Sequence, residues 1–170
     1  KKMTAVQITV EAVQGATGYQ IYRKKGSKVT MIGQTSGTVF LDQNPVSGRS
    51  SYYAKAIKGS LTGKEGSAKK ITLPKATTKV TAKAKTDKTV VLSWKKVKGA
   101  TGYLVYRSTK KNGSYQRIAV LKKGTKCTYN DKKGLKKGMK YYYRIVTVKK
   151  KTYSPAKTTK AVKIKAAKKK

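Results

Sequence analysis

The pentapeptide Gly-Ala-Thr-Gly-Tyr occurs twice, at 15–19 and at 99–103, and the residues around the two copies agree in kind at a constant spacing. Val6, Ile8 and Val10 stand 84 positions before Val90, Leu92 and Trp94, and Tyr22-Arg23 stands the same distance before Tyr106-Arg107. Further along the spacing becomes 89, pairing Phe40 with Tyr129, Asp42 with Asp131, Val46 with Leu135 and Tyr52 with Tyr141. The five extra residues are expected in one hairpin between Arg107 and Ile118, where Asn112-Gly113 offers the positive backbone angles of a tight turn. A unit used twice at this period restricts the chain to two small domains, 1–73 and 74–170. Each has a modest core of its own and neither has room for a buried active-site cleft.

Alternation of period two runs through both copies. Val80, Ala82 and Ala84 alternate with Thr81, Lys83 and Lys85, and Val90, Leu92 and Trp94 alternate with Val91, Ser93 and Lys95. An apolar face backed by a charged one is what a half-buried antiparallel strand requires, and no segment sustains a helical period. The pattern predicts strands over 4–11, 17–24, 29–35, 37–41, 50–58 and 67–73 in the first copy. In the second it predicts 78–85, 89–96, 101–108, 115–121, 126–130, 139–149 and 157–166. Short strands separated by Gly, Asn, Asp and Lys clusters are the signature of a β-sandwich, so the expected class is all-β, two immunoglobulin-like sandwiches in tandem. The first copy has no counterpart of 78–85. Its sheet edge must be covered either by more of a longer chain or by the neighbouring domain. Leu73-Pro74 marks the joint, because proline ends strand pairing there.

Charge is the second constraint. Forty-three Lys and Arg oppose five acids and no histidine, a net +38. The excess is uneven: residues 1–73 carry 12 basic and 3 acidic side chains, residues 74–170 carry 31 and 2. Such a field gathers anions, so the partner classes it admits are nucleic acid, teichoic or uronic polymers, sulfated glycans and anionic membrane surfaces. The basic residues are mostly lysine, a mobile point charge rather than a fixed bidentate fork, which favours diffuse attraction. One cysteine, Cys127, excludes an internal disulfide framework and is expected as a buried, inert thiol. No His or Cys cluster has metal-ligand spacing, no cofactor motif occurs, and no stretch is long and apolar enough for a transmembrane helix. The start at Lys1-Lys2, without an initiator Met or signal peptide, suggests a piece of a longer chain.

Both copies resemble fibronectin type III domains of the bacterial extracellular kind, along the whole chain. Trp94 in Leu92-Ser93-Trp94-Lys95 stands where that family places a core tryptophan on its second strand, and Gly102 to Arg107 matches the third strand. Tyr129-Asn130-Asp131, followed by Leu135, Gly138 and Tyr141, matches the fifth-strand exit and the tyrosine corner. The resemblance implies that the Tyr141 hydroxyl bonds nearby backbone while its ring fills one end of the sandwich. The first copy departs from the pattern: Val10 replaces the tryptophan, the initial strand is missing, and Val46 to Tyr52 makes a weaker corner. The resemblance further implies a spacer or accessory module of a secreted or cell-surface protein, bacterial and Gram-positive, with other domains of a parent chain as neighbours.

The candidate sites follow from charge and alternation. The five carboxylates are scattered, and Asp42 and Asp131 hold equivalent turn positions where a bond to backbone is the ordinary role, so no enzymatic chemistry is expected. A lysine isopeptide crosslink would have only Asn130-Asp131 to use. The outward residues Tyr106, Tyr142 and Arg144 on the third and sixth strands form a candidate aromatic face for sugars or single-stranded nucleic acid. The candidate polyanion-binding residues are Lys95, Lys96, Lys98, Lys110, Lys111, Lys122, Lys123, Lys132, Lys133, Lys136, Lys137, Lys149, Lys150 and Lys151, with a further run at Lys168 to Lys170. The expected function is non-catalytic attachment to an anionic polymer, teichoic acid or acidic glycan. The alternatives are a structural spacer in a stalk, fibre or adhesin, and nonspecific nucleic-acid binding.

Overall fold

The computed structural model describes residues 4–165; the Lys168 to Lys170 run and the last position of the 157–166 strand lie outside them. Every described element is a strand and every pairing is antiparallel. Two compact units meet between Leu73 and Pro74.

The first unit contains β1 (Val6–Thr9), β2 (Gly18–Lys25), β3 (Lys28–Thr35), β4 (Val39–Asp42), β5 (Gly48–Lys58), β6 (Leu61–Glu65) and β7 (Lys69–Leu73). β1 pairs with β4, and the facing sheet runs β3-β2-β5-β6 with β7 also on β5. Tyr19, Ile21, Tyr52 and Leu73 are buried from this sheet and Val6 from β1, which closes the sandwich. Among the described residues no strand lies outside β1. β6 was not legible as a strand because all five of its residues are exposed, and only backbone pairing with β5 holds it.

The second unit contains β8 (Thr81–Thr86), β9 (Thr89–Ser93), β10 (Gly102–Ser108), β11 (Gln116–Leu121), β12 (Thr128–Asp131), β13 (Lys140–Lys149), β14 (Thr152–Tyr153), β15 (Lys157–Thr158) and β16 (Val162–Lys163). One sheet is ordered β12-β9-β8; the other is β11-β10-β13, with β14, β15 and β16 ranged along β13. Val90, Leu92 and Trp94 from the first sheet meet Tyr103, Val105, Tyr141, Tyr143 and Ile145 from the second. Each such side chain contributes about 1.5 to 3 kcal/mol of burial. Trp94 packs edge-on against Tyr103, centroids 5.3 Å apart. In the first unit the same position holds Val10, only half-buried.

Registers correct the spacing read from sequence in two places. Tyr19 faces Thr35 and Tyr103 faces Leu121, so the offset is already 86 at the end of the β10–β11 hairpin; that hairpin holds two of the five extra residues. The other three lie in the β11–β12 connection, 122–127 against 36–38. The hairpin turn is also not built on positive angles at Asn112-Gly113. Gly113 N–H bonds Lys110 carbonyl at 3.3 Å, and neither residue is among those with positive φ. Later, Arg23 faces Tyr52 whereas Arg107 faces Tyr143, so Tyr52 corresponds to Tyr143 at an offset of 91. The counterpart of Tyr141 is Ser50, and the first unit has no corner tyrosine.

The expected single strand over 157–166 is broken into pieces. The break between β15 and β16 comes at Thr159, whose hydroxyl takes the place of a ladder carbonyl in accepting from Tyr143 N at 3.0 Å; ahead of β15, Pro155 has no N–H to give and the Ser154 hydroxyl accepts from Thr147 N at 2.9 Å.

Candidate functional site

The repeated pentapeptide is a structural lock. Gly15 and Gly99 both take φ of +75°, in turns where Ala16 N–H bonds Val13 carbonyl and Ala100 N–H bonds Val97 carbonyl, 3.1 Å each. Thr17 and Thr101 give N–H and hydroxyl to Ile57 and Val148 carbonyls respectively, joining this loop to the end of β5 or β13. Tyr19 and Tyr103 accept from Val13 N at 2.8 Å and Val97 N at 3.0 Å. The first glycine, the threonine and the tyrosine are thereby used in holding the loop, and a Cβ at Gly18 or Gly102 would meet the Thr35 or Leu121 carbonyl.

The carboxylates are structural as well. Asp131 accepts from Arg107 Nη1 at 2.8 Å, from Tyr143 hydroxyl at 2.9 Å and from Lys133 N at 3.4 Å. Asp42 repeats this with Arg23 at 2.6 Å, Tyr52 at 2.9 Å and Asn44 N at 2.9 Å. Burial first, and the adjoining aspartate second, push the Tyr52 hydroxyl up to about 12 and the Tyr143 hydroxyl further still. Asp131 is thus fully committed, and Asn130 is exposed. Tyr141 is a true corner: its hydroxyl accepts from Lys136 N at 2.9 Å.

The fold brings the candidate lysines together in two groups, one at each end of the second unit, and all fourteen are exposed. The β9–β10 loop carries Lys95, Lys96 and Lys98, the β11–β12 connection Lys122 and Lys123, and the β13–β14 hairpin Lys149 to Lys151. Contacts join these three loops. Lys150 N–H bonds Thr101 hydroxyl at 3.1 Å, Trp94 N–H bonds Cys127 carbonyl at 3.0 Å, and Gly124 fits against the Ala100 carbonyl so closely that a side chain would collide. Lys126 and Lys79 belong with them: Lys126 lies in the β11–β12 connection, and Thr78, beside Lys79, accepts from Lys95 N at 3.0 Å. Both were missed because they stand singly in sequence. The three loops contain no acid. Lys110, Lys111, Lys132, Lys133, Lys136 and Lys137 occupy the loops of the other end, where Asp131 lies and Asp87 pairs with Lys137 at 3.2 Å.

The candidate aromatic face needs correction. Tyr106 is buried at 8% exposure beside the equally closed Leu104 and Val146, because the outward row of β10 and β13 is covered. Arg144 lies flat on Tyr115, 4.0 Å from its centroid, and gives Nε–H to Thr158 hydroxyl. Tyr142 is half-exposed, so what remains is a closed stack rather than a platform. An aromatic pair does form in the first unit, where Tyr22 and Tyr53 stack at 5.1 Å with Lys55 over the Tyr22 ring. Sequence missed it because the register error hid Tyr53 opposite Tyr22. Cys127 is half-buried rather than buried, its thiol 3.9 Å from the Tyr103 hydroxyl. Among the described residues no group of three or more His, Cys, Asp or Glu could hold a metal, and no helix is long and apolar enough to cross a membrane.

Known proteins are similar to parts or most of this chain. An amylopullulanase of Thermoanaerobacterium saccharolyticum is 40% identical over 78 residues, which is 46% of this chain and 6% of that protein. The chain therefore spans only a small part of the length of that curated relative. A Fn3-like protein from Clostridium thermocellum is 27% identical with a TM-score of 0.48, covering 58% of this chain and all of that one. A two-domain fibronectin type III segment of chicken tenascin is 17% identical with a TM-score of 0.48, covering 95% and 93%. The family described as Fibronectin type III domain matches residues 74–162, more than half of the chain and nearly all of the unit that holds Trp94 and the Tyr141 corner; the chain belongs to the fibronectin type III family.

Proposed function

We propose that this chain is a non-catalytic tandem module of a bacterial secreted or cell-surface protein, whose second unit attaches it to an anionic polymer, cell-wall teichoic acid or acidic glycan. One observation carries this reading. Two of the three arginines of the second unit are engaged in packing, Arg107 on Asp131 and Arg144 on Tyr115, and Arg117 is exposed on β11, while the lysines of its long loops stand exposed. Two units that share the same locks differ by twenty in net charge, +9 against +29, and a shared fold gives no reason for that difference. Self-repulsion at this density costs stability unless anions screen it. The relative's description as an amylopullulanase supports an accessory role beside other domains of a larger polypeptide. A spacer reading rests on the Gly-Ala-Thr-Gly-Tyr lock itself, which secures the fold in both units and serves no ligand.

The test is retention of the whole chain on heparin, on teichoic-acid-bearing walls and on duplex DNA across a salt gradient. Retention on walls well above physiological salt is expected. Elution from all three near physiological salt would leave the spacer.

A further inference from the structure

Backbone conformation singles out one end of the second unit. Among the described residues, two non-glycine side chains occupy positive φ, Lys79 at 51° and Lys150 at 54°. Both are lysines, both are exposed, and both sit at the end formed by the β9–β10, β11–β12 and β13–β14 loops. The first unit shows what backbone geometry alone selects. The hairpin turn between β5 and β6 puts Gly59, at φ of 58°, where the β13–β14 turn puts Lys150. Left-handed backbone disfavours any side chain with a Cβ, so a lysine there runs against the local conformational preference. Strain of this kind held at one place on a surface points to use of that place.

Charge placement agrees. Lys79, Lys95, Lys96, Lys98, Lys122, Lys123, Lys126, Lys149, Lys150 and Lys151 gather at this end with no carboxylate among them. The equivalent loops of the first unit, 10–17, 36–38 and 59–60, contain Glu11 and no lysine, and Lys58 at the end of β5 is the counterpart of Lys149. The opposite end of the second unit has its lysines beside Asp87 and Asp131. No arginine lies in the three loops, and the exposed Tyr153 beside the β13–β14 turn is a single ring rather than an aromatic platform. Ammonium groups without guanidinium forks suit phosphate oxygens approached from any direction, whereas carboxylate pairs favour the fork and sugar rings favour an aromatic platform.

Resting on the polyanion reading above, we infer that this end of the second unit is the attachment site, and that it takes a flexible phosphodiester polymer. Successive phosphates lie across the three loops, and the lysines at the opposite end add only to the long-range field.

The experiment titrates the whole chain with poly(glycerol phosphate) over a range of salt. It compares Lys96→Gln/Lys98→Gln/Lys123→Gln/Lys150→Gln with a variant of equal charge, Lys110→Gln/Lys111→Gln/Lys132→Gln/Lys133→Gln. Circular dichroism confirms the fold of both. The first variant should bind at least about ten-fold more weakly, with a salt slope shallower by roughly two to three, and the second less than about three-fold more weakly. Equal losses would overturn the site while leaving polyanion binding intact. Equal affinity of the unaltered chain for polyglucuronate would overturn the phosphodiester class, and equal affinity for duplex DNA would make nucleic acid the partner. Failure of the unaltered chain to bind any of the three near physiological salt would remove the underlying reading as well.

Discussion

Tyr143 gives its hydroxyl proton to Asp131 Oδ2 at 2.9 Å, the same oxygen that Arg107 Nη1 reaches at 2.8 Å. Arg107 donates again to Lys133 carbonyl, and the other carboxylate oxygen takes Lys133 N–H. A carboxylate with 1% of its surface exposed is thus tied on both oxygens, which is the condition under which a buried charge is tolerated. The first unit repeats every one of these bonds around Asp42, with Arg23, Tyr52 and Asn44 in the corresponding places. Each unit therefore carries a polar clamp between its two sheets, from β4 to β5 and from β12 to β13.

Removing the aspartate leaves an arginine and a tyrosine hydroxyl without their acceptor. Asp131→Ala should destabilise the second unit by about 3 to 5 kcal/mol, and Asp42→Ala should do the same to the first. Trp94 is the sole tryptophan, so its fluorescence follows the second unit alone during urea unfolding. The midpoint read from Trp94 should collapse with Asp131→Ala and hold with Asp42→Ala. A loss under about 1 kcal/mol would mean that the clamp is incidental to stability.

Alkali should loosen the first unit through Tyr52. Its hydroxyl is raised from 10.0 to about 12 in the folded state, by burial and by the bond to Asp42. The folded state thus favours the neutral form. That stabilisation is whole below pH 10, declines as pH rises toward 12, and is gone beyond it; a two-unit shift corresponds to about 2 to 3 kcal/mol. Between pH 9 and pH 11.5 the unaltered chain should lose more stability than Tyr52→Phe does, by hydrogen exchange in β2 and β5. Lysine deprotonation is common to both proteins and cancels in the comparison. Equal losses would refute the assignment.

Where alternation and burial coincide, sequence was a good guide. The strands around Val90, Leu92 and Trp94 were legible because one face of each is apolar, and the corner at Tyr141 through the resemblance carried by Leu135, Gly138 and Tyr141. Legibility failed where backbone alone decides. β6 has no buried residue to announce it, and the pairing of Tyr52 with Tyr141 looked natural because both are tyrosines, whereas hydrogen-bond register sets Tyr52 opposite Arg23 and hence level with Tyr143. The lysine end was invisible for a related reason: its loops are remote in sequence and are joined through Thr101, Cys127 and Gly124 only in the folded unit. The aromatic face was misjudged because alternation assigns a direction, not an exposure, and Arg144 and Tyr115 close that side.

Ser50 stands where the second unit has Tyr141, with 3% exposure and a hydroxyl that has no hydrogen-bond partner among the described residues. An orphaned buried hydroxyl costs about 1 to 3 kcal/mol of desolvation, and alanine has nearly the same volume. Ser50→Ala should therefore stabilise the first unit, by about 1 kcal/mol, and raise its melting point by several degrees. Tyr141→Ser in the second unit should do the reverse and more, since it empties a core position and releases Lys136 N–H. A destabilised Ser50→Ala would show that the hydroxyl is satisfied in solution.

Lys150 separates stability from binding. Its left-handed backbone costs about 1 to 2 kcal/mol relative to a residue at ease there, and part of that gain is lost with glycine because the unfolded chain becomes freer. Lys150→Gly should raise the stability of the second unit by about 0.5 kcal/mol and its melting point by about 2 to 4 °C, while weakening retention on poly(glycerol phosphate). Lys150→Asn removes the same charge and also tolerates the conformation, so it should behave alike. Lys151 has no positive φ. Lys151→Asn should weaken retention by a similar factor without the gain in melting point. If Lys150→Gly stabilises but leaves retention unchanged, the turn lysine is conformational drift and its strain marks no site; if it weakens retention without stabilising, the charge matters and the backbone argument does not.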